Sequence, residues 1–137
     1  MSVTRFGVSI DSALLDKFDT MIKQKGYSNR SEAIRDMIRE RFLQEDIKEG
    51  SKEMVGTVTI IYNHHELELP GELMHDQHKH HDFVLSTVHV HLDEHNCMEV
   101  ILLKGRAGDI SDFANRVISR RGVKHGKLHL ARGDEEG

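Results

Sequence analysis

The chain of 137 residues has little cysteine and no tryptophan, two residue types that help a small protein to fold without a metal ion or a partner. Its single cysteine excludes an internal disulfide framework and fits a reduced, cytoplasmic setting. With no tryptophan and 37% hydrophobic residues, any core must be thin, and small domains commonly need a metal ion or a partner chain. The sequence lacks an apolar run of membrane-spanning length and an N-terminal basic segment followed by an apolar one. We expect a soluble protein with no membrane partner.

Charge and histidine are distributed unevenly along the chain. Residues 1–48 carry nine Lys or Arg against eight Asp or Glu, and the remainder carries ten against fifteen. All eleven histidines follow Asn63. This asymmetry indicates two modules with different functions. We predict domains over residues 1–49 and 52–131, followed by a disordered acidic tail over residues 132–137.

The first module has the pattern of one strand and two helices. In residues 3–10, apolar side chains alternate with polar or small ones, which predicts a strand with one polar face. Asp11 is a good N-cap for a first helix, and Ser28 for a second. A lone strand leaves an unpaired edge, so a partner chain is expected to complete a two-stranded ribbon. The polar face of the strand carries Arg5, Gly7 and Ser9.

Such a ribbon fits the major groove of DNA, where outward side chains reach base edges. The N-terminal amides of the second helix, at the segment that includes Asn29 and Arg30, can hold a backbone phosphate. This pattern and the motif GYSNRSEAIR, residues 26–35, resemble the ribbon-helix-helix family of repressors. The alternation alone also allows a plain dimerisation domain with a polar strand face.

The second module shows a regular alternation of strand and helix patterns. Pro70-Gly71 marks a break after the first strand, and Asp109 is placed as the N-cap of the last helix. The predicted order is βαββαβ, the ferredoxin-like pattern, which resembles the regulatory ACT type. The fold class is therefore α+β, a dimeric βαα unit followed by this domain. The predicted segments are 55–62, 72–83, 85–92, 97–103, a helix from residue 109, and 123–130.

Two histidines and the cysteine are predicted to share one face of a hairpin. Side chains alternate along a strand, so His89 and His91 point the same way, and the apolar residues between them are expected to pack on a core. If Leu92 pairs with Asn96, then His91 lies opposite Cys97, and His89 lies opposite Glu99. A thiolate with imidazoles suits zinc, copper or nickel, and the sequence does not show which geometry is formed.

The other histidines allow a less specific interpretation. The run from His75 to His81 is consistent with a loose surface cluster that binds late transition metals weakly. Solvent exposure is the simplest interpretation of His64, His65, His95 and His129.

Four motifs in the second module make a closer resemblance: HKHHD (78–82), VHVHLD (88–93), CMEV (97–100) and RRGVKHG (120–126). With the first module, they resemble the nickel-responsive transcriptional regulators of the NikR family over nearly the whole chain. The resemblance implies one planar Ni(II) per subunit, bound by three His and one Cys. The implied ligands are His89, His91 and Cys97, with His78 from a neighbouring subunit. It also implies that Glu99 fixes a ligand imidazole and that Tyr62 and His64 belong to the surrounding network.

The resemblance further implies positions that contact DNA. Arg5, Gly7 and Ser9 would face the groove, and Arg35 would contact the DNA backbone. Related proteins often carry a hydroxyl residue where this chain has Gly7, so a base contact from that side chain is not implied. Glu32 and Asp36 resemble the family's secondary cation site, and an ordinary exposed helix face is the alternative.

The function implied is a nickel-dependent repressor of nickel-uptake genes rather than an enzyme. It would act as a homotetramer, a dimer of dimers, on a palindromic double-stranded operator, with no small-molecule substrate. A zinc- or copper-responsive repressor of the same fold and a metal-storage or delivery protein are the alternatives. An enzyme is the least supported reading, because no oxyanion donor, lid or glycine-rich cradle accompanies the thiol and histidines.

Overall fold

A computed structural model of the chain describes residues 2–65 and 83–133. These residues form two compact units, one up to Arg41 and one from Phe42 onward. Among them, no helix is both long and apolar enough to cross a membrane. The helices are α1 (Ser12–Gln24), α2 (Arg30–Glu49) and α3 (Ala107–Ile118). The strands are β1 (Glu53–Asn63), β2 (Val84–His91), β3 (Asn96–Arg106) and β4 (Val123–Ala131).

Polar side chains cap both helices of the first unit. Asp11 caps α1 as predicted, because its carboxylate accepts two backbone N–H groups at 3.1 and 3.3 Å. The prediction of Ser28 as the second cap is wrong by one residue. Asn29 is the cap, since its Oδ1 accepts the N–H of Glu32 at 2.9 Å, while the Ser28 hydroxyl donates to the Glu32 carboxylate at 3.0 Å.

The segment predicted as the ribbon strand has no regular secondary structure in the single chain. Its apolar side chains Phe6, Val8 and Ile10 are exposed. A two-stranded ribbon takes one strand from each of two chains, so one chain alone does not test the pairing. The ribbon remains a prediction, and it would cover this apolar row.

The second unit is built on a four-stranded antiparallel sheet with the order β2-β3-β1-β4. This is the strand order of the ferredoxin-like pattern. Helix α3 begins at Ala107, and Arg106 occupies the N-cap position, so the prediction of Asp109 as the cap is wrong. Asp109 lies in the first turn instead, where its negative charge interacts favourably with the positive end of the helix dipole. The predicted helix 72–83 falls almost wholly outside the described residues.

The core of the second unit lies on the face of the sheet that α3 covers. The side chains that α3 contributes to this core are fully buried, and they pack on the central strands β1 and β3. Helix α3 comes close to β4 at Gly126, where an added Cβ would lie 2.7 Å from the Cγ1 methylene carbon of Ile118. A glycine is required there because any side chain would push α3 away from β4. The central buried residues are Val58, Ile60, Ile101, Leu103, Ile110, Phe113 and Val117.

The opposite face of the sheet corrects one prediction. The apolar residues of the strand predicted at 85–92 are expected to pack on the core, yet Val88, Val90 and Leu92 are 51%, 40% and 48% exposed. The face with His89 and His91 is continuous with the core instead. The reason is that α3 packs on that side, because the buried residues of β1 and β3 point there.

The division into two units falls within α2 rather than at its end. Leu43 and Ile47, near the end of α2, pack against the core of the second unit. Asp46 forms ion pairs with Arg132 at 2.8 Å and with Lys52 at 3.2 Å. The domain boundaries at residues 49 and 52 therefore remain a prediction. They concern which segments of the chain fold independently. Of the predicted tail, the structure describes residues 132 and 133 only.

We expect Gly126→Ala to lower the free energy of unfolding by about 1–3 kcal/mol, because its Cβ has no room beside Ile118. Gly7→Ala is the matched control, since nothing lies within 4 Å of the Cβ it adds. Urea unfolding of the metal-free protein at one fixed protein concentration measures both. Equal effects of the two substitutions would contradict the packing described for α3.

Candidate metal centre

The hairpin of β2 and β3 has the register that the sequence predicted. His91 pairs with Cys97, and His89 pairs with Glu99, so all four side chains lie on the face covered by α3. Cys97 is fully buried and Glu99 is 9% exposed, whereas both histidines are exposed. The site therefore has a buried sulfur at the margin of the core, with imidazoles between it and solvent.

The turn that sets this register is held by Asp93. Its carboxylate accepts the backbone N–H groups of His95 and Asn96, each at 2.8 Å, and the Asn96 side-chain amide at 3.1 Å. These hydrogen bonds favour the charged carboxylate and lower the pKa of Asp93 to about 2. The turn is thus fixed by an ionised side chain over the whole neutral pH range.

Three potential ligands converge on one point in the described structure. The Nδ1 atoms of His64 and His91 each lie 3.3 Å from the sulfur of Cys97, and all the ligand atoms lie within 4.8 Å of one another. His64 follows β1, whose Tyr62 pairs with Cys97. The structure therefore brings His64 into the position where the sequence reasoning placed His89.

His89 lies beside this group with a different set of partners. Its Nδ1 is 3.3 Å from the hydroxyl of Tyr62 and 3.5 Å from a carboxylate oxygen of Glu99. Its ring centroid is 5.1 Å from that of His91. Tyr62 and Glu99 thus adjoin the site, as the resemblance implied, and their roles toward a metal remain predictions.

Sequence reasoning did not identify His64 as a candidate ligand, although a signal was present. Tyr62 and His64 are two residues apart, so they share a face if the strand continues. The missing information was the pairing of β1 with β3, which places the end of β1 beside Cys97. Such long-range pairing is not visible in local alternation.

The electrostatics of the site favour neutral donors. Partial desolvation, followed by the neighbouring imidazoles, lowers the pKa of His64, so its nitrogen lone pair is free at neutral pH. Burial raises the pKa of the Cys97 thiol, and the charges of Asp93 and Glu99 add to that effect. Burial and the Glu99 charge also raise the pKa of Tyr62 to about 12, so it remains a phenol.

These donors fit a late transition metal ion in kind and in spacing. A cation bound to sulfur at about 2.3 Å and to nitrogen at about 2.0–2.1 Å separates the two donors by about 3.1 Å at a right angle and about 3.6 Å at a tetrahedral angle. The observed 3.3 Å lies between these values. Small rotations of these side chains would allow either right-angle or tetrahedral coordination. His78, the fourth ligand implied by the resemblance, lies outside the described residues.

In the first unit, the predicted cation-site residues have partners within the chain. The Asp36 carboxylate accepts the hydroxyl of Tyr27 at 2.8 Å and the Arg39 guanidinium at 3.2 Å. Glu32 accepts the hydroxyl of Ser28. The secondary cation site stays a prediction, and these hydrogen bonds would have to be exchanged for a cation.

The predicted DNA-contacting residues are all exposed. These are Arg5, Gly7, Ser9, Asn29, Arg30 and Arg35. Arg30 forms a bidentate ion pair with Asp19, with both N···O distances at 2.8 Å, so its guanidinium is already oriented. The DNA contacts themselves remain predictions.

Two protein-family models match the chain. Residues 4–45 match ribbon-helix-helix proteins of the copG family, and residues 55–131 match the C-terminal nickel-binding domain of NikR. The chain resembles in fold an uncharacterized Thermotoga maritima protein, with a TM-score of 0.53 at 15% identity, covering 59% of this chain and 100% of that one. That likeness concerns the fold alone.

Several relatives are similar to this chain over almost their full length. A protein of Trichlorobacter lovleyi is 56% identical, covering 93% of this chain and 92% of that protein. Relatives from Thermococcus onnurineus and Pyrococcus furiosus are 53% and 52% identical, each covering 93% of both chains. All three are assigned as nickel-responsive regulators. With its ribbon-helix-helix segment, its ferredoxin-like sheet and a His/His/Cys group at the sheet margin, the chain belongs to the NikR family of nickel-responsive regulators, which are not enzymes.

Proposed function

We propose that this regulator is a repressor that binds a palindromic operator when Ni(II) is bound, one ion per subunit. The proposed ligands are His89, His91 and Cys97, with His78 supplied by a neighbouring subunit. The observation that carries the proposal is the hairpin register, which sets His91 against the buried sulfur of Cys97 and places His89 on the same face. Bound nickel would supply a link between two subunits.

The residues around the site are suited to orient its ligands. With Nδ1 of His89 beside the Glu99 carboxylate and the Tyr62 hydroxyl, its Nε2 is the nitrogen left for a metal. Burial of Cys97 shields the sulfur from solvent and oxidants, and it also makes ionisation costly without a bound cation. Glu99 and Tyr62 thus select the ring nitrogen, and Cys97 supplies the soft donor.

Two exposed apolar surfaces support a homotetramer, one in each unit. The alternating row Phe6, Val8 and Ile10 precedes α1, and the apolar residues of β2 cover part of the open sheet face. Apolar patches of this kind mark association surfaces. Pairing through the first surface gives a DNA-binding dimer, and pairing through the second joins dimers. If subunits pair through both surfaces at once, the assembly is a dimer of dimers.

Nickel must prefer the DNA-competent assembly to act as a switch. To move a population from 1:99 to 99:1, a ligand must favour one state by about 10⁴-fold, or roughly 5.5 kcal/mol. A ligand contributed by a neighbouring subunit offers such a preference, because the complete site exists only in one arrangement of subunits. A zinc- or copper-responsive repressor is the second candidate, since the 3.3 Å donor spacing also suits those ions.

We expect Cys97→Ala to abolish nickel-dependent operator binding while the protein stays folded, because the soft donor is lost and only a small side chain changes. Gel-shift titration with nickel measures the response, and circular dichroism checks the fold. His129→Ala, at an exposed position of β4, is the control and should respond normally. A normal response in Cys97→Ala would refute the proposed site. A thiolate-to-nickel absorption band typical of planar coordination distinguishes nickel from the second candidate.

The raised pKa of Cys97 predicts proton release on nickel binding. Below that pKa the metal-free thiol is protonated, and metal binding requires the thiolate. The apparent nickel affinity should therefore rise by about tenfold per pH unit from pH 7 to 8 if this thiol is the group that releases the proton. Calorimetric titration in two buffers of different ionisation enthalpy counts the protons. Release of the same number by Cys97→Ala would show that another group is responsible.

Arg5 and Arg35 should affect operator binding in different ways. Loss of a base contact from Arg5 should cost about 1–3 kcal/mol and relax specificity, with the salt dependence nearly kept. Loss of a phosphate contact from Arg35 should weaken binding to all sequences and reduce the slope of log affinity against log salt by about 1. Fluorescence anisotropy of the nickel-loaded Arg5→Ala and Arg35→Ala variants, over a salt series, measures both effects. Identical behaviour of the two variants would contradict the assignment of base and phosphate contacts.

A further inference from the structure

We propose that Asp19 positions the guanidinium of Arg30 to bind a phosphate of the DNA backbone. The inference rests on the proposed function in one respect, because it takes Arg30 as a DNA contact. It adds a residue that would not contact DNA itself and that carries the same sign of charge as the phosphate. Asp19 would act by holding Arg30 in the orientation that the phosphate requires.

The first support is the geometry of the ion pair. Nε and Nη2 of Arg30 each donate to one carboxylate oxygen of Asp19, at 2.8 Å in both cases. Two parallel hydrogen bonds of this kind fix the plane of the guanidinium as well as its distance. Nη1 has no partner among the residues that the structure describes, and it carries N–H groups that are donors only. The pair therefore orders the side chain and leaves donors for a phosphate.

The second support is the place of the pair in the first unit. Arg30 is the first residue of α2, and Asp19 lies within α1. The first N–H groups of a helix have no partner within the helix, and they attract anions. Asn29 caps one of these groups, the N–H of Glu32. Asp19 thus joins the body of α1 to the end of α2 at which a phosphate is expected.

The third support is a contrast with the other arginines predicted to contact DNA. In the part of the chain that the structure describes, Arg5 and Arg35 form no ion pair, whereas Arg30 does. The acidic side chains Glu32 and Asp36, near the start of α2, have hydrogen-bond partners other than Arg30. Asp19 is therefore the carboxylate that determines how Arg30 is held.

The pair contributes little to folding, so its removal tests function rather than stability. The two side chains are 55% and 40% exposed, and exposed ion pairs stabilise proteins only slightly. In DNA binding, a long side chain that is already ordered loses less conformational entropy. Against this, Asp19 places a negative charge near the phosphate, which by itself weakens binding. The two effects have opposite signs, so removing the charge shows which one is larger.

The test measures binding of the nickel-loaded, full-length protein to duplex DNA of random sequence, because phosphate contacts carry no sequence information. Asp19→Asn should bind about three- to tenfold more weakly than the unmodified chain, the loss expected when one long side chain must be ordered on binding. Asp19→Glu keeps the charge and both oxygens, and it should recover most of the loss. Fluorescence anisotropy measures the affinities.

Asp16→Asn is the matched control for the change in charge. It removes the same charge from α1, at an exposed residue whose carboxylate has no ion pair within residues 2–65 and 83–133. It should bind DNA as tightly as the unmodified chain or slightly more tightly, because a repulsive charge is lost. Circular dichroism should show the same fold and unfolding temperature for both asparagine variants.

Variants of Arg30 provide a second readout. Arg30→Ala should weaken binding and reduce the slope of log affinity against log salt by about 1, as expected for one lost phosphate contact. In the Arg30→Ala background, Asp19→Asn should have no more effect than Asp16→Asn, because no guanidinium is left to position. A merely structural role of Asp19 would not depend on Arg30 in this way.

The positioning role is overturned if Asp19→Asn binds as tightly as Asp16→Asn or more tightly, since Asp19 then only repels the phosphate or competes with it. It is also overturned if Arg30→Ala binds the random duplex normally, because the phosphate contact is then absent. Failure of the proposed function looks different. The unmodified chain would then show no nickel-dependent binding to an operator, while the order of these variants on random DNA would stay as predicted.

Discussion

The pairing of His91 with Cys97 across the β2–β3 hairpin is the interaction on which the proposed metal chemistry depends. The ionised side chain of Asp93 holds the turn through backbone N–H groups, and the turn fixes the register. A slip of one residue would move the histidines to the other face of the sheet, away from the sulfur. A short turn therefore decides whether imidazole and thiol can meet at all.

The same face of the sheet carries both the core residues and the proposed metal ligands. Cys97 lies at the end of a buried row on β3 that continues through Glu99 and Ile101 beneath α3. Burial raises the pKa of the Cys97 thiol, and a cation bound by the proposed ligands would contact the edge of the packed core. The opposite sheet face and the N-terminal row at residues 6–10 carry apolar side chains that the single chain leaves exposed. Under the proposed function, partner chains would cover these surfaces.

Much of the fold was predictable because local patterns carry it. The cap at Asp11, the strand alternation and the turn before Asn96 are each encoded within a few residues, and all are observed. The two errors at helix N-termini arose where neighbouring residues compete for one position. Asn29 replaced Ser28 as a cap because its side-chain oxygen reaches the amide of Glu32, and α3 begins before Asp109.

The sequence by itself determined that two imidazoles and a thiol share one face of a hairpin, because alternation and turn length are local properties. Only the tertiary structure decided that this face adjoins the core and that the apolar side of β2 is exposed. It alone also brought His64 to the sulfur, since the pairing of β1 with β3 joins residues more than thirty positions apart. Long-range pairing depends on how the whole sheet closes around α3, and no short stretch of sequence records it.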